Sequence, residues 1–300
     1  MSGPVENQVP KRFFLVPAAE APSASERRGI WTWPKRCKPF LEPEMSAPEE
    51  ALLGGLVAGR VVRVGDTVRR AAGDWTPTIQ ALLAHLRKKA FPAPRPLGLD
   101  EAGREVVAWL PGRASNWPWP AALLAVEGAR QVGALLEAYH AAVADFRPAF
   151  PPTWRHGVQA LGPGEIVLHG DFGPHNLIWS EDALTGLIDF ELARPGPAAE
   201  DVGFAVIRAA QLRPDEMTRP AGFETPPNRL ARLDAFAAGY GWARADLVAA
   251  ALTAQRAEIE RIERWGAAGL EPWTTFRQRG LGRQARAELA WLDANAAALA

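Results

Sequence analysis

The sequence predicts an α+β protein, with a small strand-rich N-terminal part followed by a larger, mostly helical C-terminal part. Three observations carry that reading. Between Pro48 and Leu110, short apolar runs alternate with glycine and proline turns, the punctuation of a small sheet. From residue 121 to 144, and again beyond Asn228, apolar residues recur at helical spacing. Between these helical stretches, Ile166-Val167-Leu168, Leu177-Ile178-Trp179 and Leu187-Ile188 read as short strands joined by a polar loop.

A length of 300 residues and a hydrophobic fraction of 48% are ample for a packed core. Basic and acidic residues balance at 34 each, so net charge supplies no drive toward nucleic acid or a membrane surface. Cys37 is the only cysteine, which excludes an internal disulfide and a cysteine-based metal site and fits a reducing compartment. No apolar stretch approaches the roughly 18 residues that span a bilayer. The first residues, MSGPVENQVPKRFFLV, hold too short an apolar run for a signal peptide. The expectation is a cytoplasmic protein with no membrane segment.

Residues 1–44 contain seven prolines and no helical or strand period, and are expected to form an extended or disordered N-terminal extension. Met45 stands as an alternative start, and Trp31, Trp33 and Phe40 would serve a docking segment if the extension has a role of its own. The small lobe is expected over 45–112. Its first strands flank Gly54, Gly55 and Gly59, which would let backbone amides approach a phosphate without Cβ obstruction. Gly65-Asp66 marks a hairpin into the strand Thr67-Val68-Arg69-Arg70. The helix Thr76 to Lys89 follows, with Thr76 as N-cap, Pro77 in the first turn and Ile79, Leu82, Leu83 and Leu86 as its apolar stripe. A turn at Asp100-Glu101-Ala102-Gly103 leads into the strand Glu105–Leu110, and Pro111-Gly112 ends it as a hinge.

The larger lobe, 113–300, opens with a helix over 121–144 that carries His140. The chemistry concentrates in IVLHGDFGPHNLIWSEDALTGLIDFE, residues 166–191. Asp171 is placed to accept a hydroxyl proton, and the Asn176 amide oxygen and the Asp189 carboxylate are hard ligands of the kind Mg²⁺ prefers. That set suits phosphoryl transfer, where the protein positions a hydroxyl and neutralises a triphosphate. Asp201 stands where a helix begins and would cap it. Beyond Asn228, three helical stretches are expected, separated by Gly241 and by the Gly266-Ala267-Ala268-Gly269 run. Glu258, Glu260, Glu263 and Glu271 alternate there with Arg256, Arg261 and Arg264, which reads as a solvated face.

The spacing His169-x-Asp171-x4-Asn176 followed by Asp189-Phe190 is similar to the catalytic loop and metal-binding aspartate of the kinase fold. HGDFGPHN followed by LIDFELA resembles, more closely, the aminoglycoside phosphotransferase and choline kinase branch. The resemblance runs from about Met45 to Ala300 and implies a bilobal protein-kinase-like fold. It implies transfer of the γ-phosphate of ATP, or another nucleoside triphosphate, to a hydroxyl of a small-molecule acceptor, with Mg²⁺ as cofactor. In that family the residue at the position of His169 orients the loop backbone. The aspartate at the position of Asp201 helps hold the loop, and backbone groups near Ala108 to Leu110 would bind adenine. The strand-three lysine and its helix glutamate are both missing. Arg70 best matches the lysine position, with Arg69 as the one-residue alternative, and Gln80 or His85 would stand in for the glutamate. That departure leaves a binding module without turnover as the competing reading.

Overall fold

Two apolar runs separated by Gly65-Asp66 close a hairpin between strands β2 (Val62–Val64) and β3 (Thr67–Arg70) in the computed structural model, which describes residues 48–52, 61–115 and 117–300. The expected extension 1–44, and Gly54, Gly55 and Gly59, lie outside the described residues. The described residues belong to one compact unit, Ser46–Ala300. Strand β1 (Glu50–Ala51) borders β2. Helix α1 (Thr76–Lys88) then crosses to strands β4 (Pro96–Leu99) and β5 (Glu105–Ala108), completing a five-stranded sheet of order β1-β2-β3-β5-β4. The stripe Ile79, Leu82, Leu83 and Leu86 is at most 1% exposed. Trp75, and not Thr76, is the N-cap of α1. The Thr76 hydroxyl accepts from the Gly73 N–H instead of turning back on its own helix. Strand β5 is shorter than the expected Glu105–Leu110, because the Trp109 N–H leaves the ladder to reach the Asp66 carbonyl at the hairpin tip.

Strand β6 (Arg113–Ala114) starts the larger part of the unit. The expected helix over 121–144 is two helices, α2 (Ala121–Leu124) and α3 (Val126–Val143), because Ala125 is extended at φ −64°, ψ 153°. The break frees backbone carbonyls in a buried place, and one side chain satisfies them. Arg232, 1% exposed, donates to the carbonyls of Leu123, Leu124 and Ala125, and also to that of Ala209. Burial pulls its pKa down only to about 10, so it stays charged at neutral pH.

A hairpin of β7 (Thr153–Trp154) and β8 (Gly157–Val158) precedes β9 (Ile166–Leu168), and one 3₁₀ turn, Pro174–Asn176, joins β9 to β10 (Leu177–Ser180). Strand β11 (Ala183–Leu187) pairs with β10, which pairs with β6, and β12 (Arg194–Gly196) pairs with β9. Helix α4 (Ala198–Ala209) follows, then α5 (Arg229–Tyr240), α6 (Arg244–Ala267), α7 (Trp273–Gln278) and α8 (Leu281–Leu299). The region after Asn228 therefore holds four helices, not three. The short α7 forms because Trp273 and Phe276 join Ile262, Trp265 and Leu281 in a satellite core. Helices α3 and α5 pack closely enough that a Cβ on Gly239 would collide with the Arg130 carbonyl. Among the described residues, no helix is long and apolar enough to cross a membrane.

Candidate active site

The apolar run of β9 buries Val167 and Leu168 completely and delivers His169 to the end of the strand. Gly170 turns the chain there at φ 79°, and a Cβ at that position would collide with the Leu192 carbonyl, so glycine is required on both counts. His169 is fully buried among Tyr139, Phe172 and Phe190. Its Nε2 lies 3.0 Å from the Ile188 carbonyl, and its Nδ1 accepts from the Asp171 N–H at 3.3 Å. Burial holds its pKa below the usual histidine value, and the neutral Nε2–H tautomer satisfies both partners. His169 thus spans the two strand ends that bear Asp171 and Asp189.

Asp201 sits inside the first turn of α4 and not at its cap, which is Pro197. It is 2% exposed, and its two carboxylate oxygens accept from the His169 N–H at 2.6 Å and the Gly170 N–H at 3.0 Å. Burial works to raise its pKa, but the neighbouring His140 and His169 hold it below the usual carboxylate range. His140 approaches Asp201 to 3.5 Å through Nε2 and binds the Tyr240 hydroxyl at 2.9 Å through Nδ1.

The Asp171 carboxylate, 24% exposed, takes two donors on one oxygen. Oδ2 lies 2.9 Å from His175 Nε2 and 3.0 Å from Asn176 Nδ2, leaving Oδ1 without a partner among the described residues. Burial pushes its pKa up, but the charge and hydrogen bond of His175 outweigh this and hold it below the usual carboxylate value. The Asn176 Nδ2 also donates to the Asp171 carbonyl at 2.9 Å, so the amide oxygen turns the other way. The Ile188 N–H binds the Asn176 carbonyl at 2.9 Å and brings the next residue, Asp189, beside this loop. Asp189 occupies the left-handed region at φ 66°, ψ 65°, which aspartate tolerates better than most residues.

Arg70 reaches this point from the sheet. Its Nη1 donates to Asp189 Oδ1 at 2.8 Å and its Nε to Glu105 Oε2 at 2.6 Å. Arg69, one residue away and on the other face, lies 3.6 Å from Asp100 at the far turn. Gln80 on α1 donates to Glu105 Oε1 at 2.8 Å, whereas His85 faces the Ala142 carbonyl and Asp145. Glu105 went unnoticed in the sequence. Its place at the start of a strand is legible in the sequence, but its position opposite Arg70 is set by the β3–β5 register, which only the structure shows. In the Ala108–Leu110 stretch, the Ala108 N–H is given to the Arg95 carbonyl and the Trp109 N–H to Asp66. The Leu110 N–H has no backbone partner among the described residues.

Two further residues bear on Asp171. Arg208 stacks on Phe204 at 3.3 Å, and burial with nearby Arg213 pulls its pKa down to about 10. Glu258 is pushed up by burial and by the Asp171 charge. Arg208 lies seven residues after Asp201, on the same face of one helix, which is the pattern that marks it. A hard divalent cation that shares its ligands with phosphates needs only a few protein oxygens. The Asn176 amide oxygen and the second oxygen of Asp189 fit that need. Among the described residues, no group of three or more His, Cys, Asp or Glu is gathered to hold a metal by itself.

The model of the phosphotransferase enzyme family matches residues 154–248, which contain the whole loop from His169 to Asp189 and Asp201. A trifolitoxin immunity protein from Rhizobium leguminosarum bv. trifolii is 32% identical over 202 residues, covering 65% of this chain and 76% of that protein. The chain belongs to the phosphotransferase enzyme family. This phosphotransferase shares its fold with a choline/ethanolamine kinase family protein from Mesorhizobium loti, at a TM-score of 0.52 and 14% identity over 83% of this chain and 92% of that one. A microcompartment-associated aminopropanol kinase gives 0.51 and 18% identity over 83% and 91%. The phosphotransferase is thus an α+β protein of the protein-kinase-like fold.

Proposed function

We propose that this phosphotransferase moves the terminal phosphoryl group of ATP to a hydroxyl of a small-molecule acceptor, with Asp171 as the base. The observation that carries the proposal is the Asp171 carboxylate, oriented by Asn176 and His175 on a loop whose backbone Asp201 holds, close to the Arg70–Asp189 pair. Asp171 would take the acceptor proton through Oδ1, which has no partner among the described residues. Asn176 and Asp189 would hold Mg²⁺, which supplies charge neutralisation for the phosphates when bound. Arg70 would hold a phosphate oxygen through Nη2, its Nε and Nη1 being given to Glu105 and Asp189. Ala108 and Leu110 would contact the nucleotide base, Leu110 through its N–H, and Gly54 and Gly55 would approach the phosphates. The small lobe would run over 45–112 and the larger lobe over 113–300.

The relative's name makes a toxin the first acceptor class to test, and the amino alcohols named for the two fold relatives the second. The binding-module alternative drew on the missing lysine–glutamate pair, and Arg70 and Glu105 form an ion pair of the same charge. The deciding experiment is an acceptor screen with ATP and Mg²⁺ that follows ADP release. Release that depends on an acceptor supports transfer. Nucleotide binding with no release for any acceptor favours the module, and release without acceptor favours a hydrolase.

A further inference from the structure

We propose that Glu105 positions Arg70 for the nucleotide phosphates, supplying the counter-charge from strand β5 with Gln80 of helix α1 as a neutral donor behind it. The inference rests on the phosphotransfer reading above. Arg70 and Glu105 are paired residues of adjacent antiparallel strands, so the sheet backbone fixes their side chains on one face. Glu105 is 1% exposed and each carboxylate oxygen has a donor, Oε2 from Arg70 at 2.6 Å and Oε1 from Gln80 at 2.8 Å. The Gln80 oxygen accepts from the Gly98 N–H at 3.0 Å, which sets the amide so that its nitrogen faces Glu105. The helix therefore contributes a neutral donor behind the carboxylate, and the charge comes from the sheet.

The guanidinium is held on two sides. Its Nε is fixed by Glu105 and its Nη1 by Asp189, while its Nη2 has no protein partner among the described residues and is the edge left for a phosphate oxygen. A buried carboxylate on the far side also decides how Arg70 divides its charge. In Glu105→Gln, Asp189 would be the one anion left in contact with Arg70 among the described residues, and the tighter Arg70–Asp189 pair would compete with a metal ion for the same carboxylate. A residue that merely fills the core would have no such effect on metal dependence.

The test uses full-length protein, with ATP and Mg²⁺ as probes and no acceptor. Calorimetry on Glu105→Gln should show ATP affinity reduced on the order of tenfold, and the Mg²⁺ concentration for half-maximal ATP binding should rise. Adding Gln80→Glu to Glu105→Gln returns a carboxylate to the cluster from the helix side and should recover part of both losses. A folded Glu105→Gln protein with wild-type ATP affinity and wild-type Mg²⁺ dependence would overturn the proposal. Should Glu105→Gln not fold, Gln80→Ala removes one bond to Glu105 and leaves the ion pair. It should shift both readouts the same way by less, and no shift overturns the proposal. If wild-type protein binds no ATP with Mg²⁺, the phosphotransfer reading falls and this inference with it. Binding by wild type and equal binding by Glu105→Gln removes this inference alone.

Discussion

Asp171 and its partners set the residue-scale expectations. Asp171→Asn removes the base but keeps the side-chain shape, so turnover should fall on the order of 10²–10⁴-fold while ATP affinity is unchanged, as steady-state rates and calorimetry would show. Wild-type turnover by the purified variant would end the assignment. His175 offers a pH test. Burial lowers its pKa, but the charge and hydrogen bond of Asp171 win, and the net shift is upward from 6.5. A raised histidine pKa contributes stability that is fully present below 6.5 and is lost as pH rises through the raised value. The depressed Asp171 adds stability present above 3.8 and lost as pH falls through its lower folded value. The denaturant midpoint of wild type should therefore exceed that of His175→Asn by more at about pH 6 than at about pH 9. An equal gap at both would show that the pair does not titrate as a unit.

At the scale of elements, two buried charges hold segments that could not hold themselves. Asp201 ties the start of α4 to the end of β9 through two backbone N–H groups, each costly to leave buried and unpaired. Asp201→Ala should destabilise the fold by about 2–4 kcal/mol in denaturant unfolding and slow turnover by loosening the loop. Turnover at the wild-type rate would show that the loop keeps its shape without Asp201. Arg232 replaces the hydrogen bonds lost where α2 and α3 part, and Arg232→Ala should cost on the order of 3 kcal/mol or more. A loss below about 1 kcal/mol would mean that water takes over the freed carbonyls. The resemblance implies that Asp201 holds the loop, whereas nothing in the sequence points to the role of Arg232. The break at Ala125 carries no proline or glycine, and Arg232 lies over a hundred residues from the carbonyls it serves.

For the whole molecule, nucleotide binding should couple the sheet to the helical part, because Arg70 and Asp189 meet from opposite sides of the sequence. A ligand that binds only the folded state raises the melting temperature, by an amount that grows with the logarithm of its concentration over Kd. ATP with Mg²⁺ should raise it for wild type and fail to do so for Asp189→Ala, whose carboxylate would be the main protein charge on the metal. A full metal-dependent shift in the folded variant would remove Asp189 from the ligand set.

Features governed by local rules are legible in the residues alone. Apolar spacing placed the core stripe of α1, the glycine turn placed the β2–β3 hairpin, and the order His169, Asp171, Asn176, Asp189 marked the loop, because each depends on neighbours a few residues away. Tertiary structure decided every choice that depended on what lies across a gap. The register of β3 against β5 put Arg70, not Arg69, beside Asp189, since a step of one residue turns a side chain to the opposite face. The same pairing supplies Glu105 from a strand, where the resemblance implies a helix residue, and the packing of α4 under β9 decides between the two roles open to Asp201, placing it on the loop and not at the cap. A charge acts through space over a few ångströms, and the chain positions that meet at that distance, here 70 with 105 and 189, are set only once the sheet and helices have packed.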